Sequence, residues 1–345
     1  MKRRVRSFNG LKVGLTFDLR DAYLAEGYTE VETAELDRAD TIDAIEAELT
    51  ALGYRVDRIG HVRQLAARLV AGDRWDVVFN ICEGMHGLAR EAQVPALLDA
   101  YRVPYVFSDA LTCALTLHKG MTKDVVRAAG VATPDYAIVH EKADIANIQM
   151  PFPLFAKPLA EGTGKGISAN SKITGVSQLR RVCEQLLRQH HQPVLVERFL
   201  PGREFTVGIV GTGAQARALA TLEIELLAKA DADVYSYRNK EQCEELVTYQ
   251  LLSSCALRRE IENLALRAWR VLGCRDAGRI DIRLDAQEQP QFLEVNPLAG
   301  IHPQHSDLPI MASLAGISYS QLIGSIMQSA AQRLSIPRRR QQRAA

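Results

Sequence analysis

Along the first 120 residues the apolar positions switch between two spacings. Residues 11–17 (LKVGLTF) form a short, almost unbroken apolar run and predict a strand. Residues 40–53 then put Ile42, Ile45, Leu49 and Leu52 on one helical face and Asp43, Glu46 and Glu48 on the other. Gly53 reads as the stop of that helix, and residues 54–59 resume as strand. A polar helix around 65–70 leads to residues 75–81 (WDVVFNI), the near-continuous apolar run of a parallel strand buried on both faces. Strand, helix, strand, helix, strand predicts an open α/β domain that ends near Lys119.

Beyond Lys119 the texture changes to α+β. A helix over 121–130 stops at Gly130 and Pro134. Short strands are predicted at 153–157, 166–169, 194–197 and 204–210, with a helix over 176–189 among them. A long strand pair spans 216–226, an amphipathic helix 258–272, and two strands, 279–285 and 291–296, are joined by Ala286-Gln287-Glu288-Gln289. A last helix, 320–334, runs into the basic stretch Arg338-Arg339-Arg340-Gln341-Gln342-Arg343, which reads as a solvated end.

Composition narrows the class of protein. The 345 residues, 47% hydrophobic and 24% charged, suit a globular chain of two or three domains. With 42 Lys and Arg against 41 Asp and Glu, the net charge of +1 gives no field for gripping nucleic acid. No apolar run reaches the ~20 residues of a membrane span. The basic residues at the N-terminus are not followed by the apolar core of a secretory signal. Six cysteines lie scattered without a CxxC pair, as free thiols in a reducing cytoplasm do. These features predict a cytoplasmic protein without nucleic-acid or membrane partners.

Three places carry chemistry. In the hairpin 279–296, residues of like parity share a face, so Glu294 and Asn296 lie together. A symmetric four-residue turn sets Asp281 opposite Glu294 and Arg279 opposite Asn296, ~5 Å apart. Two carboxylates and a carboxamide oxygen on one rigid patch suit Mg²⁺ with room for phosphates, or else mark an exposed acidic hairpin. Second, Lys157 precedes the loop Glu161-Gly162-Thr163-Gly164-Lys165-Gly166. Its glycines let backbone N–H groups approach a polyphosphate, although the loop also reads as a glycine-rich hairpin with no ligand. The spacing is neither a P-loop nor a dinucleotide fingerprint. Third, Glu197 and Glu204 flank a Pro-Gly turn, where two carboxylates can accept hydrogen bonds from adenine and ribose. Glu83 and His86 follow the apolar strand 75–81, where ligand sites of α/β sheets form, and so are candidate substrate contacts. His302 and His305 read as loop residues.

These blocks, in this order and with Lys119, resemble the ATP-grasp superfamily and, within it, the D-alanine–D-alanine ligase family. The resemblance runs from about Leu11 to about Leu334. It implies an N-terminal α/β domain (1–119) followed by a two-part ATP-grasp domain (120–204 and 205–335), with 336–345 as a basic tail. It implies an ATP- and Mg²⁺-dependent carboxylate–amine ligase working through an acyl phosphate, with two Mg²⁺ ions or Mn²⁺ in their place. Small-molecule amino acids would be its substrates, D-alanyl-D-alanine for peptidoglycan precursors its product, and a homodimer its assembly. Lys119, Lys157, Glu161, Gly162, Thr163, Gly164, Gly166, Glu197, Glu204 and Lys240 match ATP-binding positions. Asp281, Glu294 and Asn296 match metal ligands, and Arg279 with the Gly300 N–H matches the group that stabilises the anionic intermediate. Ser306 matches the serine on the acceptor's carboxylate.

The departures cluster at the amino-acid positions. The family's Ser-x-Glu signature is absent after 11–17, and Glu35 stands in for its glutamate. Thr163-Gly164 replaces a serine pair, Glu241 a tyrosine, and Ala299-Gly300 a Pro-Gly. A related ligase joining other amino acids or a peptide, or a non-catalytic nucleotide-binding protein, are the alternative readings.

Overall fold

The computed structural model describes residues 10–227 and 246–334; Lys240, the segment 235–241 and the basic end 336–345 lie outside the described residues. Strands β1 (Lys12–Thr16), β2 (Arg55–Gly60) and β3 (Val77–Asn80) form a parallel sheet in the order β2-β1-β3. Between them run α1 (Arg20–Ala25), α2 (Ala39–Ala51) and α3 (Val62–Val70). Helix α2 buries Thr41, Ile42, Ile45 and Leu49, the face its apolar spacing marks. Gly53, at φ +90°, turns the chain out of α2, and the Tyr54 N–H reaches back to the Leu49 carbonyl at 3.0 Å.

Three helices follow: α4 (Gln93–Ala100), α5 (Ala110–Leu117) and α6 (Lys119–Ala128). His118 separates the last two and caps α6, its Nδ1 accepting from the Met121 N–H at 3.1 Å. The helix predicted over 121–130 therefore begins two residues earlier, with Lys119 in its first turn.

A second sheet, antiparallel in the order β4-β7-β5-β6, consists of β4 (Tyr136–Val139), β5 (Leu154–Pro158), β6 (Lys172–Ile173) and β7 (Val194–Arg198). Helix α7 (Val176–His190) covers one face, where Leu154, Ala156, Val182, Cys183, Val194 and Val196 make a separate core. The strand predicted at 166–169 is absent. Thr163, Gly164 and Gly166 all have positive φ, which extended pairing cannot use, so the strand forms only at Lys172–Ile173.

The third sheet has the order β10-β9-β8-β11-β12. It comprises β8 (Glu204–Val210), β9 (Arg217–Leu226), β10 (Val247–Leu251), β11 (Ala277–Leu284) and β12 (Pro290–Asn296). Residues 216–226, expected as a strand pair, are one ten-residue strand that bonds β8 on one side and β10 on the other. Its central residues are buried and it contains no turn residue, so the apolar run continues where a hairpin was expected. Helix α8 (Ala256–Val271) lays Ile261, Ala265, Ala268 and Trp269 on Phe205, Val207, Ile280 and Ile282.

Two helices close the chain, α9 (Asp307–Leu314) and α10 (Tyr319–Arg333). Leu322, Ile323, Ile326 and Met327 of α10 share a core with Val13, Leu15 and Ile45 of the N-terminal sheet and its helix. Asp276, fully buried, fixes this arrangement. Its carboxylate accepts from the Phe107 N–H (2.8 Å) and Ser329 Oγ (2.9 Å) and pairs with Arg333 Nη2 at 2.5 Å. Among the described residues the five cysteines are free, and no single helix is long and apolar enough to cross a membrane.

Candidate active site

The hairpin β11–β12 supplies the acidic face, by a route the sequence hid. Leu284 pairs with Pro290 and Ile282 with Phe292, so the turn is one residue longer than the symmetric one. An irregularity between Asp281 and Ile282 then resets the register, and Asp281 faces Glu294 while Arg279 faces Asn296. Leu293 is the extra residue. Like parity with Val295 would place it on the core face, but Phe292 packs there with Ile280 and Ile282, and Leu293 lines a cavity beside Asp281 and Glu294. The neighbouring strand extends the same face, because Thr206 pairs with Asp281 and its Oγ1 donates to Asp281 Oδ1 at 2.8 Å.

Across a cleft, the second sheet presents cations. Alternation along β5 and β7 sends Ala156 and Val196 into the core and leaves Lys157 and Glu197 facing the hairpin. Lys157 Nζ lies 3.2 Å from Glu294 Oε2 and 3.4 Å from Glu197 Oε1. Burial works against the Lys157 charge, yet the two carboxylates outweigh it and raise its pKa. Lys119 Nζ donates to the Glu161 carbonyl at 2.6 Å and stands 3.8 Å from Glu294. Its pKa is lowered by burial, with Lys157 adding to the effect and Glu294 opposing it. Glu197, expected beside adenine and ribose, is held from behind by Lys123, whose fully buried Nζ lies 2.8 Å from Glu197 Oε2 and 2.9 Å from Thr133 Oγ1. Sequence reasoning passed over Lys123, although its spacing of four from Lys119 puts both lysines on one side of α6.

The glycine-rich loop is tied to the N-terminal domain. Glu35 Oε1 accepts from the Gly162 N–H at 2.7 Å and pairs with Lys165 at 3.2 Å, while Oε2 pairs with Arg90 at 2.6 Å. Burial would raise the Glu35 pKa, but Arg90 and Lys165 bring it down to about 2. Glu161 completes the clasp, 2.9 Å from Lys165 Nζ and 2.6 Å from Gln192 Nε2. Thr163 sits at φ +46° with its Oγ1 buried and, among the described residues, unbonded. Such strain and an orphaned hydroxyl favour a site that accepts a ligand oxygen.

Two cavities meet at Glu294. The smaller, about 70 Å³, lies between the sheets and includes Phe155, Lys157, Phe199, Glu204, Asp281 and Glu294 in its wall. At its rim Glu204 pairs with Arg283 at 3.4 Å. The larger, about 560 Å³, opens toward the N-terminal sheet and is bordered by Lys119, Thr163, Arg279, Glu294, Gly300 and Ser306 among others. Arg279 Nη1 bonds both Asp281 oxygens at 2.8 Å and reaches Asp307 at 3.1 Å. Ser306 precedes α9 and its Oγ accepts from the His302 N–H at 2.9 Å. A side chain at Gly300 would meet that Oγ at 2.8 Å, which explains a glycine here. Glu83 borders the larger cavity, whereas His86, expected as a substrate contact, does not: it is exposed, with Nε2 3.0 Å from the Tyr28 hydroxyl. Three residues past Glu83 on an irregular loop, it has reached the surface. Asp37 and Glu91 also line the cavity and were not anticipated.

The donor set fits Mg²⁺ shared with phosphates. Among the described residues no group of three or more His, Cys, Asp and Glu side chains is arranged for a metal. Asp281, Glu294 and the Asn296 carboxamide offer fewer oxygens than a Ca²⁺ cage needs, and Mg²⁺ commonly takes its remaining ligands from water and substrate phosphates. Thr163, whose hydroxyl has no partner among the described residues, borders the larger cavity with Lys119, and Lys157 borders the smaller, with Glu294 common to both.

A parallel α/β sheet followed by two antiparallel sheets that close on a cleft defines an ATP-grasp protein. The family model described as D-ala D-ala ligase C-terminus matches residues 125–328. The D-alanine–D-alanine ligase of Bordetella petrii is 34% identical over 280 residues, 80% of this chain and 82% of that protein. The crystal structure of D-alanine–D-alanine ligase from Bacillus anthracis complexed with ATP superposes with a TM-score of 0.70 at 20% identity, covering 94% of this chain and 98% of that one. VanG D-Ala:D-Ser ligase from Enterococcus faecalis gives 0.72 at 19% identity, covering 94% and 100%. The chain belongs to the D-alanine–D-alanine ligase family.

Proposed function

We propose that this protein is a cytoplasmic ATP- and Mg²⁺-dependent ligase that joins two amino acids, D-alanine foremost, into a dipeptide. The observation that carries the reading is the meeting of the two cavities at Glu294, between Lys157 and Lys119. The nucleotide base and ribose occupy the smaller cavity, with Glu204 at the ribose. The phosphates lie over Lys157, Lys119 and the loop 162–166, whose N–H groups and Thr163 hydroxyl hold them. Asp281, Glu294 and Asn296 would hold two Mg²⁺ ions, or Mn²⁺; bound there, the metal offsets phosphate charge. The donor carboxylate attacks the γ-phosphorus, the bond to the β-phosphate oxygen breaks, and ADP leaves an acyl phosphate behind. The acceptor's amine, deprotonated, then attacks the acyl carbon. Arg279 and the Gly300 N–H stabilise the tetrahedral oxyanion until phosphate departs. The clasp of Glu35, Arg90 and Lys165 keeps the loop over the reacting groups and keeps water from the acyl phosphate.

ADP and phosphate release with Mg²⁺-ATP, measured against single amino acids and pairs with mass spectrometry of the product, tests this. D-Alanyl-D-alanine is the expected product. ATP binding with no turnover across the panel would leave a nucleotide-binding protein and overturn the reading. A polar acceptor is the second reading, because Asp307 bonds Arg279 and the Tyr249 hydroxyl (3.2 Å) close to Ser306. D-Serine in the same panel separates the two.

A further inference from the structure

We infer that the ammonium group of the donor amino acid is held by an acidic wall of Asp37, Glu83 and Glu91, and that Glu35 is a strut for the glycine-rich loop. The inference rests on the ligase reading above and changes which residues read the donor. Glu35 is the residue that stands in for the family's glutamate at the amino-acid positions, yet its carboxylate is already committed. It accepts from the Gly162 N–H, Arg90 and Lys165, at 2.7, 2.6 and 3.2 Å. An ammonium arriving there would meet a carboxylate whose charge two cations already offset.

Asp37, Glu83 and Glu91 line the same cavity, and none of them makes an ion pair with the described residues. Glu91 is the telling one: it is only 9% exposed, with no hydrogen-bond partner among the described residues. Arg90 and Lys119 offset its charge only from a distance, and a nearly buried carboxylate without a hydrogen bond gains from a donor that enters the cavity. Glu83 is pushed well above the usual carboxylate range by burial and by the charges of Glu91 and Glu35. Asp37 is raised to about 8 by burial and Asp18. Glu91 is raised as well, chiefly by burial, so in the empty cavity this wall favours the protonated forms, and an entering ammonium favours the carboxylates.

The chemistry of the guest follows. An ammonium carries three N–H donors, and three carboxylates present a matching number of acceptors. Its position also fits: Glu91 borders the same cavity as Lys119 and Glu294, which lie 3.8 Å apart. The wall therefore adjoins the point where the donor carboxylate meets the γ-phosphate, as an α-amino group must. A donor with a free α-amine is selected, and a hydroxy acid or N-acylated donor is not.

Hydroxylamine trapping reads the donor step alone. Hydroxylamine attacks the carbonyl carbon of the acyl phosphate, the bond to the phosphate oxygen breaks, and a hydroxamate and inorganic phosphate form, with no acceptor amino acid required. The wild-type enzyme is expected to favour D-alanine over D-lactate. Glu83→Gln and Glu91→Gln are each expected to raise the KM for D-alanine about tenfold or more, with kcat less affected, and to narrow that preference. The KM for ATP, measured in the same reactions, should stay near wild type and also reports that the variants fold. Glu35→Gln should instead raise the KM for ATP. Donor KM values within twofold of wild type in both wall variants, or a donor KM raised most by Glu35→Gln, would overturn the assignment. A wild-type enzyme that binds ATP but yields no hydroxamate with any amino acid would remove the ligase reading itself.

Discussion

Asp281→Asn and Glu294→Gln are each expected to lower ADP release by about a hundredfold or more, with the fold retained. Each change removes one negative charge from the place where phosphates and their metal must be gathered, while keeping the shape of the side chain. Asp281 keeps its neighbours Thr206 and Arg279, and its strand stays paired on both sides. The loss should fall on turnover and on the Mg²⁺ concentration required, not on circular dichroism. Glu294→Gln carries a second consequence. It leaves Lys157 with Glu197 alone and Lys119 without its nearest carboxylate, so ATP can bind more tightly while reacting more slowly. Near-normal turnover in both variants at ordinary Mg²⁺ would refute the metal assignment.

The largest stability effect is expected at Lys123→Met. The ammonium is fully buried and lies 2.8 Å from Glu197, itself 2% exposed. Removing it strands a buried carboxylate, which costs about 3–5 kcal/mol in comparable pairs. Lys157 at 3.4 Å softens this by drawing toward Glu197, and in doing so withdraws from the phosphates. Urea unfolding should therefore show a lower midpoint, and the KM for ATP should rise. Combining Lys123→Met with Glu197→Gln should cost less than the two single changes together, since the double variant strands no charge. A loss below about 1 kcal/mol in the single variant would mean that the pair is not what holds this part of the cleft together.

Much of this arrangement is legible in the chain and some of it is not. The parallel sheet could be read because Ile42, Ile45 and Leu49 repeat with the helical period and because residues 75–81 are apolar on both strand faces. The pairing of Asp281 with Glu294 was reached through a turn that is not the one observed; a longer turn and the bulge at Leu293 cancel. No local pattern announces such a bulge, since Leu293 suits either face. The glycine-rich loop was found by its composition, but its positive φ values displaced the strand predicted inside it. Glu35, Arg90 and Lys165 are 55 and 75 positions apart in order, and a clasp between segments so remote has no sequence signature. Lys123 did have one, its spacing from Lys119, and it was overlooked because a lysine in a helix is normally a solvated residue.

The fully buried Asp276 has a consequence for how the molecule comes apart. It joins Phe107, Ser329 and Arg333, which belong to distant stretches of chain, and the surrounding core likewise draws on the N-terminal sheet, the large sheet and α10. These parts should exchange their amide hydrogens together, as one cooperative unit with a single opening free energy. The four-stranded sheet has its own core, confined to residues 139–196, and depends on none of those contacts. It can open alone, at lower cost, and it carries Lys157 and the loop 162–166. The half of the cleft proposed to grip the phosphates is thus the half that can breathe without unfolding the rest.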